Sequence, residues 1–227
     1  MIFMLLVFLT FCGGALADYV ISRRWHRTVA CDIVLAPPAR QGLTEFAPRR
    51  VEGFLVPEGL QYHAGHTWVL RERNHMARVG LDEFAAKLAG NIDKIELPKP
   101  GLWFRQGQPV FKVHRNGETA TLLSPIEGEV VEVNPELVND PSLLRHDSYN
   151  KGWLMTVHVF DDKSTWRNLL PSNLVKNWMK EAAERLYAQQ PSLVGAVAAD
   201  GGLPVDDLLR DVPGADWSKT TAEFFLS

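Results

Sequence analysis

Between positions 92 and 160 the chain repeatedly breaks into short β-rich runs, and this rhythm limits the fold more than any other feature. The runs are 92–97, 109–114, 119–123, 129–133 and 154–160, each bounded by Gly, Pro or Asn. Runs this short, set off by turn residues, pattern as strands of a small antiparallel sandwich or barrel. Asn116-Gly117 joins two of them and supplies the positive φ values that a two-residue type I′ hairpin turn demands.

Flanking signals complete the outline. A strand is expected within 66–73, around Trp68-Val69-Leu70. Over 81–89, Leu81, Phe84, Ala85 and Leu88 fall at helical spacing, and Gly90 suits a left-handed stop. Pro171-Ser172 opens an amphipathic helix with Leu174, Val175, Trp178, Met179, Ala182 and Leu186 on one face, ended by Gln189-Gln190-Pro191. Beyond it lies an acidic, Gly- and Ala-rich stretch finishing on Phe224-Phe225-Leu226. That stretch reads either as an arm that docks on a partner or as a segment folded back on its own domain.

Asp18 is the one charged side chain from position 1 to 21, and about 20 apolar residues suffice to cross a bilayer. Arg23, Arg24 and Arg27 follow with no Lys or Arg before the run, which places the carboxyl-terminal side in the cytoplasm. The expectation is a single-pass inner-membrane anchor with a cytoplasmic domain. Asp18 would sit near the inner interface, within reach of headgroup water or of a partner's basic group. The alternative is a signal peptide cleaved after Ala15-Leu16-Ala17, which would export the protein.

The division expected is an anchor over 1–22, a linker rich in Pro and basic residues over 23–50, a β domain over 51–165, the amphipathic helix over 166–190 and the acidic arm over 191–227.

Several classes of chemistry find no support. A net charge of -3 argues against nucleic acid, whose binding needs clustered Lys and Arg. Cys12 and Cys31 make neither a disulfide framework nor a zinc spacing. His63, His66 and His75 lack an acidic or sulfur ligand to complete a metal set, and read as surface or structural histidines. His114 beside Arg115 has no nucleophile or partnered carboxylate in sequence reach. No metal, no cofactor, no small-molecule substrate and no enzymatic activity are therefore expected.

Several separated motifs resemble the glycine cleavage H protein over roughly residues 56–160. They are Val56-Pro57-Glu58-Gly59-Leu60, Tyr62 and His66-Thr67-Trp68-Val69, then Val79-Gly80-Leu81-Asp82-Glu83-Phe84-Ala85. Leu88-Ala89-Gly90-Asn91-Ile92 and Ile95-Glu96-Leu97-Pro98 follow, then Ser124-Pro125 through Val133-Asn134, Asn139-Asp140-Pro141, Tyr149 and Gly152-Trp153-Leu154. The resemblance implies a mainly β, lipoyl-like barrel-sandwich hybrid with small flanking helices. Here it would be preceded by the transmembrane helix and followed by the amphipathic helix and an extended tail.

In that family a lysine at a hairpin tip carries lipoate and ferries an aminomethyl group between partner enzymes. Counting back from Ser124-Pro125, the position falls on Gly117, which has no amine. The nearest lysine, Lys112, lies inside the incoming strand and is a poor substitute. The expected function is a non-catalytic, membrane-anchored scaffold or accessory subunit of a membrane-associated complex, respiratory or redox assemblies included. The alternative is a lipoyl carrier of the glycine cleavage type. Asp18, Trp166, Trp178, Phe224 and Phe225 are the candidate partner contacts, since bulky aromatics favour interfaces. Packing of these rings within the chain is the competing expectation.

Overall fold

The computed structural model describes residues 49–160, 165–191, 193 and 203–226. The anchor expected over 1–22, Asp18, and nearly all of the linker expected over 23–50 lie outside them. Among the described residues no helix is long and apolar enough to cross a membrane.

In chain order the strands are β1 (Arg50–Val51), β2 (Phe54–Leu55), β3 (Gln61–Tyr62), β4 (Thr67–Arg71), β5 (Met76–Leu81), β6 (Lys94–Glu96), β7 (Trp103–Phe104), β8 (Pro109–Arg115), β9 (Glu118–Leu123), β10 (Gly128–Val133) and β11 (Trp153–His158). The helices are α1 (Glu83–Ala89), α2 (Pro135–Asn139), α3 (Leu143–His146), α4 (Ser172–Gln189) and α5 (Trp217–Phe225). One sheet runs β3-β4-β5-β11-β10-β7, a second runs β6-β8-β9, and β1 pairs with β2. The pairings are antiparallel. The mainly β architecture expected from the turn rhythm is present.

Alternation sets the sheet faces. In the β8–β9 hairpin the cross-strand pairs Phe111–Leu122 and Val113–Ala120 are buried, while Lys112, on the opposite face of the pleat, is exposed. Strand β11 lies between β5 and β10, and Trp153 to Val157 are all buried there. Burial on both faces explains why this run reads as continuously apolar.

Strand β5 is a difference from expectation. Asn74 and His75 both take φ near +58°, making a tight turn that sends β5 back along β4. Leu81 therefore ends a strand, and the helix expected from 81 starts at Glu83. Asp82 caps it by accepting from the Ala85 N–H at 2.8 Å. Gly90 stops the helix at φ +70°, and a Cβ there would lie 2.3 Å from the Asp207 carboxylate.

Helix α4 buries Val175, Met179, Ala182, Ala183 and Leu186. Leu174, placed on that face by the spacing, is instead 47% exposed, because it sits in the first turn at the helix edge.

The extended tail is corrected outright over its described part, residues 203–226. Leu208 donates its N–H to the Lys87 carbonyl at 3.0 Å, and the Lys87 ammonium donates to the Pro204 carbonyl at 2.8 Å. Helix α5 then packs on α1 and β9. Its start is capped by Asp216, and the Trp217 indole N–H donates to the Ala89 carbonyl at 3.1 Å. Burial of large aromatic surface is what drives this docking.

Candidate functional site

The β8–β9 tip has the turn that its sequence demands. Asn116 and Gly117 take φ of +51° and +83°, and the Asn116 N–H donates to the Asp93 carboxylate at 2.7 Å. A Cβ placed on Gly117 would meet no atom within 4 Å, so a side chain at this position would point into open space, while Glu118 beside it accepts from the Ser218 hydroxyl of the tail at 3.0 Å. It offers no amine. Lys112 sits mid-strand opposite Thr121, and Lys94 on β6 is engaged by Glu96 at 2.8 Å.

At the base of the tip the tail meets the hairpin. The Arg115 guanidinium donates to Asp207 Oδ1 at 2.9 Å and to the Ala89 carbonyl at 3.3 Å. The other oxygen of Asp207 accepts from the Asn91 N–H at 3.1 Å. Asn91, Arg115, Asn116, Arg145, Asp207 and Arg210 line a polar hollow of about 340 Å³.

Among the described residues the histidines do not form a metal centre. His66 is buried, with Nδ1 2.8 Å from Asp82 Oδ2 and its ring stacked on Phe84 and Trp178 at 4.4 and 4.5 Å. The Asp82 carboxylate thus caps α1 with one oxygen and fixes His66 with the other. His66 is a packing residue, and its φ of +60° places it in the turn before β4, not in the strand as expected. Among the described residues no group of three His, Cys, Asp or Glu side chains could hold a metal ion.

The buried hydroxyls are structural too. Tyr62 donates to the Pro57 carbonyl and Tyr149 to the Leu55 carbonyl, and burial pushes both phenols well above their ordinary value. Phenols held neutral in this way are unsuited to general-base work at ordinary pH.

The predicted partner contacts divide. Phe224 and Phe225 are buried in the chain's own core, which removes them as free docking residues. Trp178 is half-buried with one face on His66 and Tyr62 nearby. Trp166 is half-buried under the Arg71 guanidinium, 5.3 Å from its ring centre. The outward aromatic surface that the sequence did not single out belongs to Trp103 and Phe160, 45% and 60% exposed, with ring centres 5.2 Å apart. A tryptophan in a two-residue strand gives no periodic signal, so nothing in the pattern marked it.

Comparison with known proteins fits this arrangement. The family model described as glycine cleavage H-protein matches residues 60–182, more than half of the chain. The chain belongs to the glycine cleavage H-protein family. The glycine cleavage system H protein of Mycobacterium leprae is 36% identical over 106 residues, covering 47% of this chain and 80% of that protein. That of Pectobacterium atrosepticum is 36% identical over 107 residues, covering 47% and 82%. The crystal structure of the H protein from Mycobacterium marinum aligns with a TM-score of 0.48 at 25% identity, over 56% of this chain and 99% of that one. The family match thus runs from β3 into α4, and leaves β1, β2 and the folded-back tail outside it.

Proposed function

We propose that this H-protein family member works as a non-enzymatic platform for protein partners and does not carry lipoate at its hairpin tip. One observation carries the reading: the tip is an Asn-Gly turn with both residues at positive φ and no lysine. The tip keeps the geometry of a two-residue turn with open space at Gly117 while lacking any group to which lipoate could be amide-linked. On this reading the protein is an accessory subunit of a membrane-associated complex, a respiratory or redox assembly among the candidates. Residues 1–21, with Asp18 near their inner end, would hold it at the cytoplasmic face of the inner membrane. Trp166 and Trp178, both half-buried, would be its contacts to partners.

A second reading is a lipoyl carrier of the glycine cleavage type. Family membership favours it over a membrane scaffold, since the relatives are named as H proteins. It requires attachment away from the turn, with Lys112 the nearest amine along the hairpin.

Intact-mass measurement of the protein purified from lipoate-replete cells separates the two. An unmodified chain that brings stoichiometric partners out of mild detergent supports the platform; a lipoyl adduct on any lysine rules out the cofactor-free reading.

A further inference from the structure

The polar hollow beside the hairpin tip has a charge imbalance that the described residues do not resolve. Three guanidinium groups line it, from Arg115, Arg145 and Arg210, against the single lining carboxylate of Asp207. Asp207 is fully engaged, since one oxygen accepts from Arg115 and the other from the Asn91 backbone. Asp93 does not line the hollow and accepts from the Asn116 N–H. Among the described residues neither Arg145 nor Arg210 has an ion pair, so their two positive charges face the space with no counter-charge from the described residues.

The second observation is a buried, unmatched donor. The Nε of Arg145 is shielded from solvent and has no hydrogen-bond partner among the described residues. Donors withdrawn from water without a partner are rare in folded proteins, because desolvation is then uncompensated. The amide side chains of Asn91 and Asn116 add neutral polar groups to the same lining.

We infer that this hollow is a binding site for a small phosphate-class dianion. Two excess positive charges match a dianion. Guanidinium forks match tetrahedral oxygens, each oxygen accepting one or two N–H groups. A volume of about 340 Å³ admits a phosphate monoester as well as the free ion. The site is composite: β8 gives Arg115, α3 gives Arg145, and the docked tail gives Arg210 and the Asp207 that orients Arg115. It therefore exists only while the tail is in place.

The test is calorimetric titration of the full-length protein with inorganic phosphate, chloride being adjusted to hold ionic strength constant. Saturable binding is expected, weakened by at least about tenfold in Arg145→Gln and in Arg210→Gln, as loss of a charge-assisted contact requires. Arg145→Lys keeps the charge but not the fork and is expected to recover part of the affinity. Thermal unfolding without ligand checks that the variants are folded; Arg210 is exposed, so its variant folds whatever the role of Arg145. A short-chain phosphatidate in a parallel titration separates a lipid headgroup from the free ion as the natural source. No saturable response to either, or full affinity in the Arg145→Gln/Arg210→Gln double variant, overturns the assignment.

Discussion

Arg115, the last residue of β8, and Asp207, ninety-two positions later, meet at 2.9 Å beside the hairpin tip, with side chains only 12% and 5% exposed. This pair joins the family-like domain to the tail that follows it.

Asp207→Ala should destabilise the fold by about 3 kcal/mol, because it strands a shielded guanidinium. Arg115→Ala should cost a similar amount, and the double variant less than the sum of the two. Urea denaturation of the four proteins gives the coupling. Strict additivity would show that the contact has no energetic weight.

Gly117→Lys tests the tip as an attachment point. The left-handed φ should cost about 1 kcal/mol, while the open space around position 117 accepts the side chain without a clash. Expressed with a lipoate-attaching enzyme, the variant should gain a lipoyl mass that the parent protein lacks. A folded but unmodified variant would show that the surrounding residues, and not lysine alone, have been lost.

Phe225→Ala should destabilise by about 3–5 kcal/mol, the range for emptying a buried aromatic site. Its ring is wholly buried, so a chain with a partner-seeking tail would lose far less. Denaturation midpoints and the onset of limited proteolysis near residue 203 report the difference.

His63 sets a pH dependence. Burial, reinforced by the nearby His66, holds its imidazole below the ordinary value of 6.5, and Nδ1 accepts from the Gly65 N–H at 3.1 Å. The unfolded chain therefore binds a proton that the folded one resists. Stability from this group is complete above about pH 6.5 and declines as pH falls toward the depressed folded value. His63→Gln should flatten that part of the stability profile; an unchanged profile would assign the decline to other groups.

The parts of the fold written in local chemistry were legible from sequence. Asn116-Gly117 specifies its own turn, and Gly90 announces the end of α1, so the hairpin and the helix stop needed no tertiary information. Strand β5 was not legible, since a turn through Asn74 and His75 lacks glycine and resembles a continuing strand end. Two-residue strands such as β7 are too short to show a period. The tail stayed open between docking outward and folding back for a different reason. What decides it is the pairing of Asp207 with Arg115, a relation that no window along the chain contains. The hollow was invisible for the same cause, its lining being drawn from positions 91 to 210.

The docking of Trp217, Phe224 and Phe225 against α1 and β9 also fixes an order of events during synthesis. The β8–β9 hairpin closes over two residues and can form as soon as it is made. The surface it shares with α1 stays uncovered while roughly another hundred residues are added. Contacts of such wide separation close late and slowly. The half-finished protein thus leaves its apolar flank on α1 and β9 open to water until α5 has been made.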